Sequence, residues 1–261
     1  MIRSDYHIHT YYCDGKNSPG EIAEYALSLG MKNLGFSGHS YFKFDDPAYS
    51  MSPENTIKYL SEIKNLKNKY ADSIKILCGT ECDYYSDINK SDYNYLIGSV
   101  HYVFKNNKYL SVDSSPEDFA ENIKNFYDGD AYKFVEDYFR TVADVYEKIQ
   151  PDIIGHFDLI NKFNEKYNFF DENNNKYLEP AFYALDELLK HNVIFEINTG
   201  AISRGWRKAA YPAEKFLKYI AQKNGRVILS SDSHNKLTLM YDFDIYEDLA
   251  RSLNLNLVEE F

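Results

Sequence analysis

The sequence predicts an α/β fold built on a parallel sheet, either open or closed into a barrel. Seven short, strongly apolar runs recur along the chain, mostly separated by stretches of helical periodicity. The runs are continuous, not alternating, as strands buried on both faces require. A length of 261 residues with 44% hydrophobic content is enough for one large α/β domain with a sizeable core. No linker, repeat or low-complexity tract divides the chain, so residues 1–261 read as a single domain.

The elements follow in order. Asp5 to His9 is a first strand. A helix covers Pro19 to Leu29, with Ser18 as N-cap, Pro19 at the first helical position and Gly30 just past the end. NLGFSGH is a second strand. SPENTIKYLSEIKNL opens a helix with Ile57, Leu60, Ile63 and Leu66 on roughly one face. IKILCGTE and YLIGSVH are strands three and four. Ser115 starts a helix with acidic residues in its first turn, where the helix dipole favours them, and a longer helix spans about Ala131 to Ile149. DIIGH is strand five, EPAFYALDELL is helical and VIFEINTG is strand six. YPAEKFLKYIAQK is helical with Gly225 after it, and VILSSDSH is strand seven. FNEKYNFFDENNNKY is polar and Asn-rich and reads as a loop, at the surface or over the site.

The bulk numbers exclude several classes. Net charge is −11, and no basic block interrupts it, which argues against nucleic acid and anionic membranes as partners. It suits a small substrate carrying a positive group, or serves solubility. Tyr is abundant at 25 residues, which is a usage bias without functional content. The three cysteines, Cys13, Cys78 and Cys82, form no CxxC pair and no disulfide framework. The start MIRSDYH lacks a signal-peptide apolar region, and no run reaches membrane-span length. The default is a reduced, cytoplasmic protein; the sequence sets no oligomeric state.

Chemistry gathers at the strand ends. Strand one delivers His7 and His9, strand two His39, strand three Glu81, strand four His101 and strand five His156. Strand six ends at Asn198, and strand seven at Asp232 and His234. This is the rim that carries the active site in α/β barrels. Of seven histidines, only His191 falls elsewhere, near a helix C-terminus. Any single histidine is more readily a hydrogen-bonded structural residue; six at corresponding positions point to metal. Residues i and i+2 of a strand share a side, so His7 and His9 can face one ion, and Asp232 and His234 repeat the geometry. Imidazole with carboxylate suits zinc, manganese or iron. Glu81 is either a salt-bridge partner or, among these histidines, a carboxylate bridging two ions. Asp14 either caps the turn CDGK or is a ligand.

An HxH, a single His, a Glu, two further His and a final DxH together resemble the signature of the polymerase and histidinol phosphatase (PHP) superfamily of phosphoesterases. The resemblance covers Asp5 through His234. Within it, GFSGHS, GTECDY, IGSVHYV, IGHFDLI and EINTGAISRG resemble the histidinol-phosphate phosphatases of histidine biosynthesis. That implies a distorted (β/α)7 barrel with a metal site at the C-terminal ends of the strands, holding three divalent ions (Zn, Mn or Fe). Carried over, His7, His9, Glu81 and Asp232 hold one ion; Glu81, His101 and His156 hold a second; Asp14, His39 and His234 hold the third. Many members of the superfamily have a histidine near Asp14, a departure that bears on the third ion's identity.

The implied reaction hydrolyses L-histidinol phosphate to L-histidinol and phosphate by attack of a hydroxide held between the two Glu81-sharing ions, with Glu81, Asp232 and Arg204 as catalytic residues. The loop ISRGWRK offers Arg204 as the first choice for a phosphate clamp and Arg207 as the second; Lys208 reads as a surface charge. Ser40, Tyr102 and Trp206 are candidate pocket walls, although aromatic residues are more often core. Asp158 either orients a ligand or pairs structurally. Cys13 and Cys82 adjoin the ligands but stay outside the set. The alternatives are another PHP phosphoesterase, acting on phosphotyrosine or a nucleotide, or a metal-dependent amidohydrolase; the final DxH favours phosphoester chemistry.

Overall fold

The computed structural model describes residues 2–44 and 49–260. Each of the seven apolar runs contributes a strand: β1 (Ser4–Asp5), β2 (Asn33–Phe36), β3 (Lys75–Asp83) and β4 (Tyr95–Ser99), then, beyond a hairpin of β5 (Tyr102–Lys105) and β6 (Lys108–Ser111), β7 (Ile153–Ile154), β8 (Ile194–Asn198) and β9 (Arg226–Ser230). An eighth, β10 (Asn256–Leu257), follows near the C-terminus. The main sheet runs β1-β2-β3-β4-β7-β8-β9-β10, and all of its pairings are parallel. It curls back on itself. His9 N–H donates to the Ser233 carbonyl at 2.9 Å and Ser233 N–H to that of His7 at 3.0 Å, joining the first strand to the end of the seventh. At its other end β9 pairs instead with β10. The result is the distorted seven-stranded barrel expected from the sequence, with a short extra strand beside the closure.

The two-residue period of a strand explains why one end is apolar and the other polar. On β8, Ile194, Glu196 and Asn198 share the inward face, while Phe195 and Ile197 pack outward against helices. Tyr6, Leu77, Tyr95, Ile97, Ile153, Ile194 and Ile228 fill the barrel floor. Tyr95 lies across it, its hydroxyl donating to the Phe36 carbonyl at 3.0 Å and to that of Tyr6. Gly79 lets it do so, because a Cβ there would sit 2.4 Å from the Tyr95 ring. The next inward residues along the strands, including Glu81, Ser99, Glu196 and Ser230, are polar and buried, so the floor carries a polar layer above it.

The outer helices are α1 (Pro19–Ser28), α2 (Pro53–Lys69), α3 (Pro116–Phe126), α4 (Ala131–Ala143), α5 (Val145–Ile149), α6 (Asn164–Tyr167), α7 (Asn175–Leu188), α8 (Gly200–Ser203), α9 (Glu214–Gln222) and α10 (Phe243–Ser252). Ser18 closes a capping box with Glu21, and Ser115 caps α3 through the Asp118 N–H. Three expectations change. The helix over 131–149 breaks at Asp144, whose N–H turns to the Thr141 and Val142 carbonyls. The buried face of α2 is Tyr59, Ile63 and Leu66, and Ile57 is 70% exposed. Steps of three residues fall 60° short of a full turn, so Ile57 ends up opposite Leu66. The Asn-rich connection carries α6 and the start of α7, with Asn174 as N-cap and Asn164 buried.

Candidate metal centre

The strand ends converge on Glu81. Its Oε2 lies 3.2 Å from His7 Nε2, 3.4 Å from His9 Nε2 and 3.0 Å from His39 Nδ1. Its Oε1 lies 2.8 Å from His156 Nε2 and 3.3 Å from His101 Nε2. One carboxylate thus divides two groups of imidazoles between its two oxygens. Asp232 also divides: Oδ1 is 3.2 Å from His9 Nε2, and Oδ2 accepts from Arg204 Nη2 at 2.9 Å. Asp14 Oδ2 meets His234 Nε2 at 3.0 Å, and its Oδ1 lies 3.4 Å from His9 Nδ1.

Three groups of ligand atoms lie within 4.8 Å of one another: His9, Asp14, His39 and His234; His7, His9 and Asp232; His39, Glu81 and His101. Against the expected division, Glu81 falls outside the group of His7, His9 and Asp232, His156 falls outside that of Glu81 and His101, His9 also joins the Asp14 group and His39 also joins Glu81. Cys13 Sγ is 3.6 Å from His9 Nδ1, while Cys82 is buried and turns to the Asp83 carbonyl.

The donor set suits cations. His7 Nε2, His9 Nε2, His39 Nδ1 and Glu81 Oε2 are buried and have no properly oriented hydrogen-bond partner among the described residues. Each such atom costs about 1–3 kcal/mol when left unpaired, and divalent ions among them would satisfy all four. The charges are arranged to match. Burial disfavours the His7 imidazolium, but Glu196, Glu81 and Asp232 outweigh burial and push it up to about 10. Burial, then the neighbouring His9 and Arg204, bring His234 down to about 4. Burial opposes ionisation of Asp14, yet His39 and His234 hold it well below the usual carboxylate range.

Backbone geometry fixes these groups. Asp232 adopts φ 47°, a left-handed conformation that Asp tolerates better than most residues. Gly200 packs against it: a Cβ there would stand 2.7 Å from Asp232 Cβ and 2.9 Å from Arg204 Nη2.

A cavity of about 170 Å³ opens onto the cluster, and Arg204, Trp206, Tyr211, Tyr49, Asp113 and Lys162 are among the other residues of its wall. The other expected substrate contacts lie elsewhere. Ser40 is buried and donates to Ser86 Oγ at 2.8 Å. Tyr102 packs edge-on against Phe42 and Phe44 in the hairpin region. Arg207 turns inward, 3.4 Å from Glu165 and over the Tyr211 ring, behind the wall. Lys208 is exposed. Asp158 accepts from the Ala213 N–H at 3.1 Å and faces Arg207, so it braces the arginine loop and not His156.

Sequence reasoning missed Tyr49 and Tyr211 of the cavity wall and four charged residues. Glu196 contacts His7 Nδ1 at 2.7 Å, and Asp83 accepts the His101 N–H at 2.8 Å. Both stand two residues from a residue already singled out on the same strand face, a signal the period of two could have supplied. Lys162 Nζ pairs with Asp113 Oδ2 at 3.0 Å across the cavity wall; both sit on loops, and no spacing rule points to them. His191, the histidine outside the rim, stacks on Tyr146 at 3.6 Å.

Known proteins resemble this chain in sequence and in fold. A protein of Schizosaccharomyces pombe named "Probable histidinol-phosphatase" is 28% identical over 251 residues, covering 89% of this chain and 80% of its own. A solved structure from Listeria monocytogenes superposes with a TM-score of 0.81 at 21% identity, covering 93% of this chain and 99% of that one. The histidinol phosphate phosphatase of Lactococcus lactis, solved with zinc, L-histidinol and phosphate, superposes at 0.74 and 20% identity over 98% of this chain and 95% of that one. The PHP domain model matches residues 5–200, which include the HxH strand, Glu81, His101 and His156, and with a barrel whose strand ends gather these residues at one rim, the chain belongs to the PHP domain family.

Proposed function

We propose that residues 1–261 act as one metallophosphoesterase domain that hydrolyses L-histidinol phosphate to L-histidinol and phosphate. The observation that carries this reading is the division of Glu81 between two imidazole groups beside a wall bearing Arg204, Lys162 and Asp113. Three divalent ions (zinc, manganese or iron) would be held by His7, His9, Glu81 and Asp232; by Glu81, His101 and His156; and by Asp14, His39 and His234. When bound, they supply positive charge to the phosphate oxygens and lower the pKa of water.

The chain's own residues do the rest. Arg204 presents a guanidinium to a phosphate oxygen while holding Asp232 in place. Lys162 Nζ and Asp113, paired at 3.0 Å on the cavity wall, offer a second cation for the phosphate and an anion for the ammonium of an amino-alcohol ester. Trp206, Tyr211 and Tyr49 narrow the cavity and limit water. At about 170 Å³ it suits a small ester better than a nucleotide or a phosphopeptide. The named relatives and the zinc and histidinol of the Lactococcus lactis structure support the same substrate.

The test is phosphate release by purified, metal-supplemented protein, comparing L-histidinol phosphate with phosphotyrosine, a nucleoside monophosphate and an aryl phosphate. A kcat/KM preference of a hundredfold or more for histidinol phosphate is expected. Equal, low values on all four would overturn the substrate and leave the metal centre in place.

A further inference from the structure

Glu196 is a fully buried carboxylate for which the ion pairs of the described residues give no lysine or arginine partner. Burying such a charge is costly unless donors surround it. Three do. Oε1 lies 2.7 Å from His7 Nδ1. Oε2 accepts the His156 N–H at 3.1 Å and Asn198 Nδ2 at 3.0 Å. Asn198 extends the chain of bonds: its Oδ1 accepts the N–H of Gly200 at 2.9 Å, the first residue of the short helix that leads to Arg204.

We propose that Glu196 is a positioning residue that sets two candidate metal ligands at once and ties them to the turn carrying Arg204. The inference rests on the metal-centre reading above. A carboxylate only accepts, so it holds the proton of neutral His7 on Nδ1. This leaves the Nε2 lone pair facing Glu81 and Asp232, where an ion would sit. The same group pins the main chain of His156 just past the neighbouring strand β7, so the imidazoles on the two sides of Glu81 share one anchor.

A glutamine of the same shape cannot replace it. Its single acceptor oxygen can face His7, in which case its NH2 confronts the His156 N–H and the Asn198 amide. Otherwise the oxygen serves His156 and Asn198, and the NH2 meets His7 Nδ1. His7 must then carry its proton on Nε2, the nitrogen needed for metal.

The experiment measures zinc affinity and stoichiometry at buffered free zinc for the wild type, Glu196→Gln and Glu196→Asp, with thermal melts of the metal-free proteins. Loss of an outer hydrogen-bonding partner commonly lowers metal affinity 10- to 100-fold. A loss of that order is expected in Glu196→Gln for the ions on His7 and His156, with the zinc held by Asp14, His39 and His234 retained. The metal-free melting temperature is expected to move far less than the affinity. Glu196→Asp keeps the charge but is one methylene short of His7 and is expected to lose affinity as well. It carries the test should the glutamine variant not fold. Wild-type affinity and stoichiometry in a folded variant overturn the positioning role alone. A wild-type protein that retains no zinc overturns this inference together with the metal-centre reading.

Discussion

Replacing Arg204 with alanine separates two roles that the structure joins in one side chain. Nη1 donates to the Asp232 carbonyl at 2.7 Å and meets His234 Nδ1 at 3.0 Å, and Nη2 donates to Asp232 Oδ2 at 2.9 Å. The sequence suggests that losing this arginine weakens phosphate binding and leaves bound metal untouched. The geometry predicts otherwise, because the other oxygen of Asp232 faces His9 and His7. A hydrogen bond to a charged group contributes about 1.5–3 kcal/mol. The Arg204 side chain is 31% exposed, and solvent screening reduces the figure to roughly 1–1.5 kcal/mol. At 1.4 kcal/mol per tenfold, zinc affinity at Asp232 should fall about tenfold, alongside weaker inhibition by inorganic phosphate. Arg204→Lys keeps the charge without the two-pronged geometry, so it should recover part of the phosphate affinity and little of the zinc affinity. The assay is a buffered-zinc titration paired with phosphate inhibition of turnover. Unchanged zinc affinity in Arg204→Ala, with phosphate binding weakened, would refute the claim that the arginine holds Asp232 for metal.

Glu81→Gln should lower zinc content and phosphatase activity together by at least a hundredfold, since five imidazole nitrogens within 3.4 Å lose their shared anion; full activity at unchanged metal content would rule out bridging. Asp113→Asn should raise KM for L-histidinol phosphate about tenfold and leave KM for an ester lacking the amine nearly unchanged; an equal effect on both substrates would remove Asp113 from ammonium recognition. Zinc binding should release protons, because an ion on His7 displaces a proton held up to about 10; below that value affinity should rise with pH, and calorimetry in buffers of different ionisation enthalpy would detect zero release if the reasoning fails. Gly200→Ala should cost about 1–3 kcal/mol and lower the melting temperature, since its Cβ would stand 2.7 Å from Asp232 Cβ; a melt equal to wild type would mean that the turn relaxes freely.

The candidate metal centre was legible in the sequence because its groups lie at or just past the strand ends, although only Glu81 falls within a strand. His7 and His9 stand two apart at the end of one apolar run and Asp232 and His234 at the end of another, and a parallel barrel sends every such end to the same rim. Glu196 escaped for the same reason that Glu81 was found. The last polar residue of the β8 run is Asn198, one inward step above the carboxylate. Asp83 was passed over in mirror image, lying one step beyond Glu81. The cavity wall follows no such rule. Lys162 and Asp113 are 49 positions apart on loops whose meeting depends on how α3, α4 and the hairpin β5–β6 pack. Arg207 resembles Arg204 in sequence, yet the backbone turns after Ser203 and sends it inward to Glu165 and Asp158. Periodicity therefore reports the candidate ligands, which gather at the strand ends. The groups proposed to read the substrate ride on irregular connections, so residue-level tests of Asp113, Lys162 and Arg204 bear most directly on what the site accepts.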